Sequence, residues 1–370
     1  MAHNNKTNKK NIVVLICMAM SFFTPNIESK AQDTWLFENV VRDDHDTEDS
    51  FLGLNAKLDG QFFFKNNEYF APAAEGYTLV GYTLRPVVIW HMNERISLHG
   101  GLHALRYGGE NSTKKIYPFF ATTWHINDSL NLRIGNLLGP ASHGLPEALS
   151  DPEENYVSAP EFGAQLSFDI RNFRGHAWLN WRQFIHMGDT IPEKFTAGVH
   201  TNFHSGKFYL PFGLLFNHIG GQISDYSEPM QSLLNAHLSP SIFLFGYKFK
   251  ACLHMMGFHT MAGKKVRPFE RGWVLQPELS LRHEIFKLDV SWFRSHNFYA
   301  PQGNPLLMSV SNYKADVYER NRSLIIGKAN LNVPIGEFTR FNLCLGAYYD
   351  TFATRFDYSY GFAMVVSPHI

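Results

Sequence analysis

Residues Phe162 to Ile185 read FGAQLSFDIRNFRGHAWLNWRQFI. In the first half Phe162, Ala164, Leu166, Phe168 and Ile170 alternate with Gly163, Gln165, Ser167 and Asp169. A short turn at 171–175 follows, and the second half repeats the rule, with Ala177, Leu179, Trp181 and Ile185 set against His176, Asn180, Arg182 and His186. Successive residues of a strand face opposite sides of a sheet, so this hairpin has one apolar and one polar face. A soluble sandwich would bury the apolar face in a core. A transmembrane barrel would turn it to lipid and line its lumen with the polar one.

The connections along the chain separate the two. Strand-like stretches begin at 51–64, with Leu54, Ala56, Leu58, Phe62 and Phe64 opposed to Asn55, Lys57, Asp59 and Gln61, and continue to 355–366. About sixteen fit, within a range of about 14–18. Long connections fall at 65–76, 108–115, 138–161, 187–193, 220–235, 260–271 and 296–315, with a shorter one at 350–354. Short ones fall between them. A sandwich has no reason to place every long loop at one end, whereas an outer-membrane barrel has short periplasmic turns and long extracellular loops. The expected fold is all-β, a transmembrane antiparallel up-and-down barrel with both termini periplasmic. Pro86, Pro211, Pro240 and Pro277 fall inside expected strands and require edges or bulges there.

Composition agrees. The 370 residues hold 32 Phe, 16 Tyr and 7 Trp but only 18% charged residues. Strands that are apolar at every second position need this mixture, and helical membrane spans would need far more apolar runs. At the amino terminus Lys6, Lys9 and Lys10 precede the apolar run Ile12 to Phe23, and Ser29-Lys30-Ala31 offers a small-x-small cleavage site. Residues 1–31 therefore read as a cleaved signal peptide, since the apolar run is too short to span. Residues 32–49 read as an acidic periplasmic leader and 50–370 as the barrel. Removing 1–31 leaves 29 basic against 32 acidic residues, a net charge near −3 that gives no support to nucleic-acid binding. Cys252 and Cys344 are left on strands too far apart to be bridged.

The Ala31-Gln32-Asp33 start, the aromatic-rich strands and the segment from Asn136-Leu137-Leu138-Gly139 to His143-Gly144-Leu145-Pro146-Glu147 resemble uncharacterised porin-like outer-membrane barrels of Bacteroidota-type bacteria. The resemblance implies an envelope location and a porin-like shell, with outer-membrane lipid, lipopolysaccharide and the barrel-assembly machinery as partners and homo-oligomers or other envelope proteins as further ones. It transfers no catalytic residue and no cofactor. The chain ends Ser367-Pro368-His369-Ile370, without the terminal aromatic that such barrels commonly carry.

The third long loop, 138–161, holds Glu147, Asp151, Glu153 and Glu154 among four prolines. In general porins this loop folds into the lumen, and strand parity offers Lys57, Arg85, Arg133, Arg182 and Lys287 as the opposing basic wall. Charges facing across a narrow pore would order water and select solutes by charge. Trp178 has inward parity and is the tryptophan placed for solute contact; the others suit interfacial girdles. The leading expectation is a channel for passive diffusion of small hydrophilic solutes. The alternative is a non-transport barrel subunit of an envelope assembly, for secretion, surface display or barrel biogenesis, its lumen plugged by residues such as Phe243, Phe245, Phe293 and Tyr348.

Neither metal nor catalysis is expected. His99 and His103 share a strand face but lie about 13 Å apart at ~3.3 Å per residue, too far to chelate one ion. Ser167, His200 and Asp169 share inward parity, yet no Gly-x-Ser-x-Gly elbow or His-Glu-x-x-His motif is present. The barrel is therefore expected not to be an enzyme.

Overall fold

The computed structural model describes residues 53–110, 115–263, 267–314 and 316–368. The signal and leader readings for 1–49 lie outside the described residues. The strands are β1 (Gly53–Glu68), β2 (Tyr77–Asn93), β3 (Ile96–Tyr107), β4 (Lys115–Asn127), β5 (Leu130–Asn136), β6 (Phe162–Ile170), β7 (Phe173–Gln183), β8 (Glu193–Ser205), β9 (Phe208–Gly220), β10 (Gln231–Leu238), β11 (Ser241–Leu244), β12 (Phe249–Ala262), β13 (Arg271–Arg282), β14 (Phe286–His296), β15 (Asn321–Pro334), β16 (Thr339–Asp350) and β17 (Arg355–Val366). Neighbours pair antiparallel throughout, and β1 pairs with β17, which closes the sheet on itself. Both β10 and β11 pair with β9 and β12, so they are two halves of one strand and the barrel has sixteen staves.

The prolines mark where the ladders are interrupted. Pro240 lies in the break between β10 and β11, Pro277 in a gap of the β13–β14 register, and Pro86 in a gap of the β2–β3 register. A residue without an N–H can occupy a sheet only where no ladder bond is asked of it. At Pro86 the facing residue is also constrained: a Cβ on Gly101 would lie 2.1 Å from the Pro86 carbonyl oxygen. Pro211 stays paired with Asn202, and its carbonyl accepts from the Ser239 N–H across the β10–β11 break.

All long connections lie at one end of the barrel and the short turns, with both ends of the barrel chain, at the other. The expected alternation holds along the staves. In β1 Phe62 is exposed on the outer wall while Lys57, Asp59, Gln61 and Phe63 are buried inside. Outer Trp90 and Trp124 sit toward the short-turn end and Trp181 and Trp273 toward the long-loop end, the arrangement of two interfacial girdles.

A sixteen-stave barrel is wide enough to leave a channel unless something fills it. Here three long loops fold into it. Loops 69–76, 137–161 and 297–320 turn inward, and Tyr69, Leu149, Phe298, Leu306 and Met308 pack with the wall residues Phe258, Phe293, Leu324 and Tyr348 in one apolar cluster. Inward Phe243, Phe293 and Tyr348 are buried, as parity suggested, but Phe245 is not: it occupies the β11–β12 turn at φ 50° and is 74% exposed. A turn suspends the alternation, so parity cannot be carried through it.

Candidate functional site

Two arrangements carry polar chemistry, one inside the barrel and one on its outer wall. Inside, loop 137–161 is built from a one-turn 3-10 helix (Pro140–His143) and a one-turn α-helix (Glu154–Val157) separated by proline-rich chain. Glu147 pairs with Lys328 of β15 and accepts from Asn304 Nδ2 at 2.7 Å. Glu153 pairs with Lys65 of β1 and accepts from Asn67 Nδ2 at 2.7 Å and from the Tyr77 hydroxyl. Glu154 meets Arg182 of β7 at 3.3 Å. Asp151 is buried, its N–H donating to the Gln302 carbonyl at 2.7 Å and its carboxylate accepting from the Glu153 N–H at 3.0 Å.

The acidic loop thus meets basic wall residues, but mostly not the expected ones. Of those, only Arg182 pairs with the loop acids. Lys57 and Lys287 pair instead with Asp59 (3.5 Å) and Asp289 (3.2 Å), two residues along their own strands. Arg133 donates to the Asn136 carbonyl at 2.8 Å and to Thr123 Oγ1 at 3.2 Å. Arg85 sits over the Phe119 ring and, with His103, lines a cavity of about 30 Å³ beneath residues 137–140 and 154–161. That volume holds about two waters. Parity identified inward basic residues correctly; which of them the loop reaches depends on closure of the barrel.

Trp178 is inward and buried, with the imidazole of His143 stacked on it at 3.9 Å and 5°. His143 Nε2 is in turn 2.9 Å from Glu161 Oε2, whose other oxygen accepts from Asn180 Nδ2 at 3.0 Å. The ring therefore contacts the loop rather than an open lumen. Its opposite side requires Gly198, where a Cβ would lie 2.3 Å from the indole. Gly198→Ala is accordingly expected to destabilise the barrel by about 1–3 kcal/mol, the usual cost of overpacking. A urea titration of the refolded variant in detergent measures it, and an unchanged midpoint would show that the indole moves freely.

Burial pushes the Asp151 carboxyl up to about 7, and the neighbouring Glu153 carboxylate adds to the shift. A raised folded-state value means that the packed loop favours the protonated acid. The contribution is complete below about pH 4 and is lost as pH rises through about 7. Protease cleavage within 138–161 is expected to accelerate between pH 5 and 8, and Asp151→Asn is expected to flatten that profile.

The inward triple Ser167, His200 and Asp169 does not assemble. Ser167 Oγ is 3.0 Å from His176 Nδ1, and Asp169 pairs with Arg174. Among the described residues no group of three or more His, Cys, Asp or Glu is arranged to hold a metal ion. Cys252 and Cys344 are both free thiols.

The second arrangement lies on the outer wall. Trp181, Phe195, His218 and Ser232 are successive cross-strand partners on β7, β8, β9 and β10, each within two residues of the long-loop end of its strand. Trp181 stacks on Phe195 at 5.2 Å, and Phe195 on His218 at 4.9 Å. His218 Nδ1 is 3.0 Å from Ser232 Oγ. This is the separation of a hydroxyl activated by a base. The other described Ser–His contacts, Ser97–His99, Ser167–His176 and those of Ser239 with His237 and His254, all face inward. No sequence motif marks the pair. The signal available was two polar residues interrupting an outward aromatic row, and it is readable only once the register is known.

Residues 46–370 match the model of the family described as lipid A 3'-O-deacylase-type. The chain belongs to that family. Membership in the lipid A 3'-O-deacylase-type family, an enzyme family, overturns the expectation that the barrel is not an enzyme. The expectation rested on two absent local motifs, and an absent motif does not exclude catalysis. Comparison with curated proteins gave no match. Among solved structures the chain is similar to OmpTdeltaL8, a loop-deletion mutant of an outer membrane protein of Vibrio cholerae, at TM-score 0.54 and 8% identity, covering 85% of this chain and 99% of that one. It is similar to OccAB1 of Acinetobacter baumannii at TM-score 0.51 and 8% identity, covering 87% and 99%. OprD of Pseudomonas aeruginosa gives 0.51 and 7%, covering 86% and 94%. At these identities the likeness establishes the shared porin-like barrel and nothing finer.

Proposed function

We propose that this protein is an outer-membrane hydrolase that removes ester-linked acyl chains from lipid A, using Ser232 as nucleophile and His218 as base. The long-loop end faces outward in this reading and the short turns face the periplasm. The observation that carries it is the hydrogen-bonded Ser–His pair on the lipid-facing wall, set in an aromatic row at the long-loop end. Ester bonds joining acyl chains to a headgroup lie at the depth where interfacial Trp residues sit. A lipid reaches that depth by lateral diffusion, where it meets the half-buried His218; Ser232 beside it is 8% exposed, so the ester must approach along the His218 ring. Ser232 Oγ would attack the ester carbonyl carbon as His218 Nδ1 takes its proton; the glycolipid hydroxyl leaves with that proton, and water then hydrolyses the acyl-enzyme. Release of fatty acid from lipid A by the refolded barrel, compared between wild type and Ser232→Ala, tests the assignment.

Passive diffusion of small hydrophilic solutes is the second reading. It is favoured by the polar lining nearer the short turns, including His99 and His176. The three inward loops stand against it, because their apolar cluster crosses the long-loop half of the lumen. Planar-bilayer recordings of the wild type are expected to show no steady open steps. Stable porin-sized steps would restore the channel reading.

A further inference from the structure

On the outer wall of β13, β14 and β15 the side chains change in order toward the long-loop end. Leu279 and Val290, then Trp292 and Ile325, form exposed apolar rows; Arg294 lies one row beyond Trp292, Trp273 and His296 share the row after that, and Arg271 ends β13 beyond Trp273. Register places Leu275, Arg294 and Ser323 in one row and Trp273, His296 and Asn321 in the next. The rim is tied together by hydrogen bonds. His296 Nδ1 is 2.7 Å from Asn321 Oδ1, Asn297 Nδ2 is 3.0 Å from His296 Nε2, and Arg320 Nη1 donates to Asn297 Oδ1 at 3.3 Å.

We propose that this face, through Arg271, Arg294 and Arg320, is a binding site for the phosphate groups of a glycolipid headgroup in the surrounding leaflet. Two guanidinium groups lie over rings, Arg294 over Phe352 at 4.5 Å and Arg320 over Tyr318 at 5.4 Å and Phe269 at 5.9 Å. A guanidinium resting on a ring remains charged, and its planar N–H fork matches phosphate oxygens. Arg271 is exposed. The neighbouring Glu319 is taken by Arg322 and Arg355, each at 3.3 Å. Arginines set between and beyond Trp292 and Trp273 fit a lipid whose acyl chains lie along the wall and whose phosphates lie at the rim. The nearest member of the site, Arg271 on β13, is separated from Ser232 on β10 by the single stave β12, and Arg294 lies one strand further on. The site rests on the proposed function only for which leaflet meets the long-loop end.

The test measures binding rather than turnover. The full mature chain carrying Ser232→Ala, so that no probe is consumed, is placed in phosphatidylcholine nanodiscs and titrated with bisphosphorylated lipid A and with the same glycolipid stripped of phosphate. Bound molecules are counted by native mass spectrometry. The phosphorylated form is expected to bind about 10–100-fold more tightly, and R271Q/R294Q/R320Q to remove that preference. The corresponding triple lysine variant should retain most of it. Equal binding of the two lipids, or full preference in the triple glutamine variant, overturns the proposal. If the triple glutamine variant does not fold, Arg294→Gln alone is measured, and an unchanged preference overturns it equally. Failure of Ser232 as nucleophile would appear only in the hydrolysis assay and would leave these titrations unaffected.

Discussion

Ser232→Ala is expected to lower acyl release from lipid A by about 10⁴-fold, the scale at which nucleophile and base act as a unit. His218→Asn should lower it by about 10²–10⁴-fold, since an amide cannot take the hydroxyl proton. The double variant is expected to be no slower than the worse single one, because either change alone dismantles the pair. The informative control is Ser167→Ala. Its hydroxyl makes an equally good 3.0 Å contact with His176, but it faces the lumen, where a membrane lipid does not reach. Full activity in Ser167→Ala with loss in Ser232→Ala would place the chemistry on the wall. The opposite result would move it inside the barrel and sink the assignment. Both variants should keep the heat-modifiable mobility of a folded barrel, since neither removes a large side chain.

Arg322→Met is expected to destabilise the barrel by about 3–5 kcal/mol, the cost of leaving a buried partner charge unpaired. Arg322 is fully buried, with Nε 3.1 Å from Asp350 Oδ2 and Nη1 3.3 Å from Glu319, and it donates to the Met308 carbonyl at 3.1 Å. Asp350 also accepts from the N–H groups of Phe352 and Ala353 and lies 3.6 Å from Arg355. Arg355 continues to Asp357, which receives the Phe70 and Ala71 N–H groups. One charged chain thereby fastens loops 69–76, 297–320 and 351–354 to the wall. Asp350→Leu together with Arg322→Met should recover part of the loss, because removing both charges removes the desolvation penalty as well. Urea midpoints in detergent measure both. A change below about 1 kcal/mol in the single variant would mean that the pair behaves as a solvated surface bridge.

The fold was legible because its signals are local. Alternation in Phe162–Ile170 can be read within one hairpin and the contrast between short turns and long loops along the chain, and a wrong register would expose every polar side chain to lipid. Even the misplaced prolines were readable as demands for ladder breaks, which β10–β11, Pro86 and Pro277 supplied. Inward parity of Trp178, Arg182, Phe293 and Tyr348 was likewise local. Phe245 shows the limit, since one turn residue at positive φ ends the alternation.

The partners of those side chains were not local. Glu153 reaches Lys65 across 88 residues and Glu147 reaches Lys328 across 181, contacts that exist because β1 closes onto β17 and the single loop 137–161 folds in against both β1 and β15. His218 and Ser232 are 14 residues apart on either side of a long loop, and only the β9–β10 register makes them neighbours. The sequence by itself determined a closed lipid-facing barrel, because periodicity and loop length depend on nearest neighbours along the chain. Tertiary structure decided which wall residues the inward loops pack against and that a Ser–His pair faces out from the wall, because closure and register bring together residues that no spacing along the chain relates.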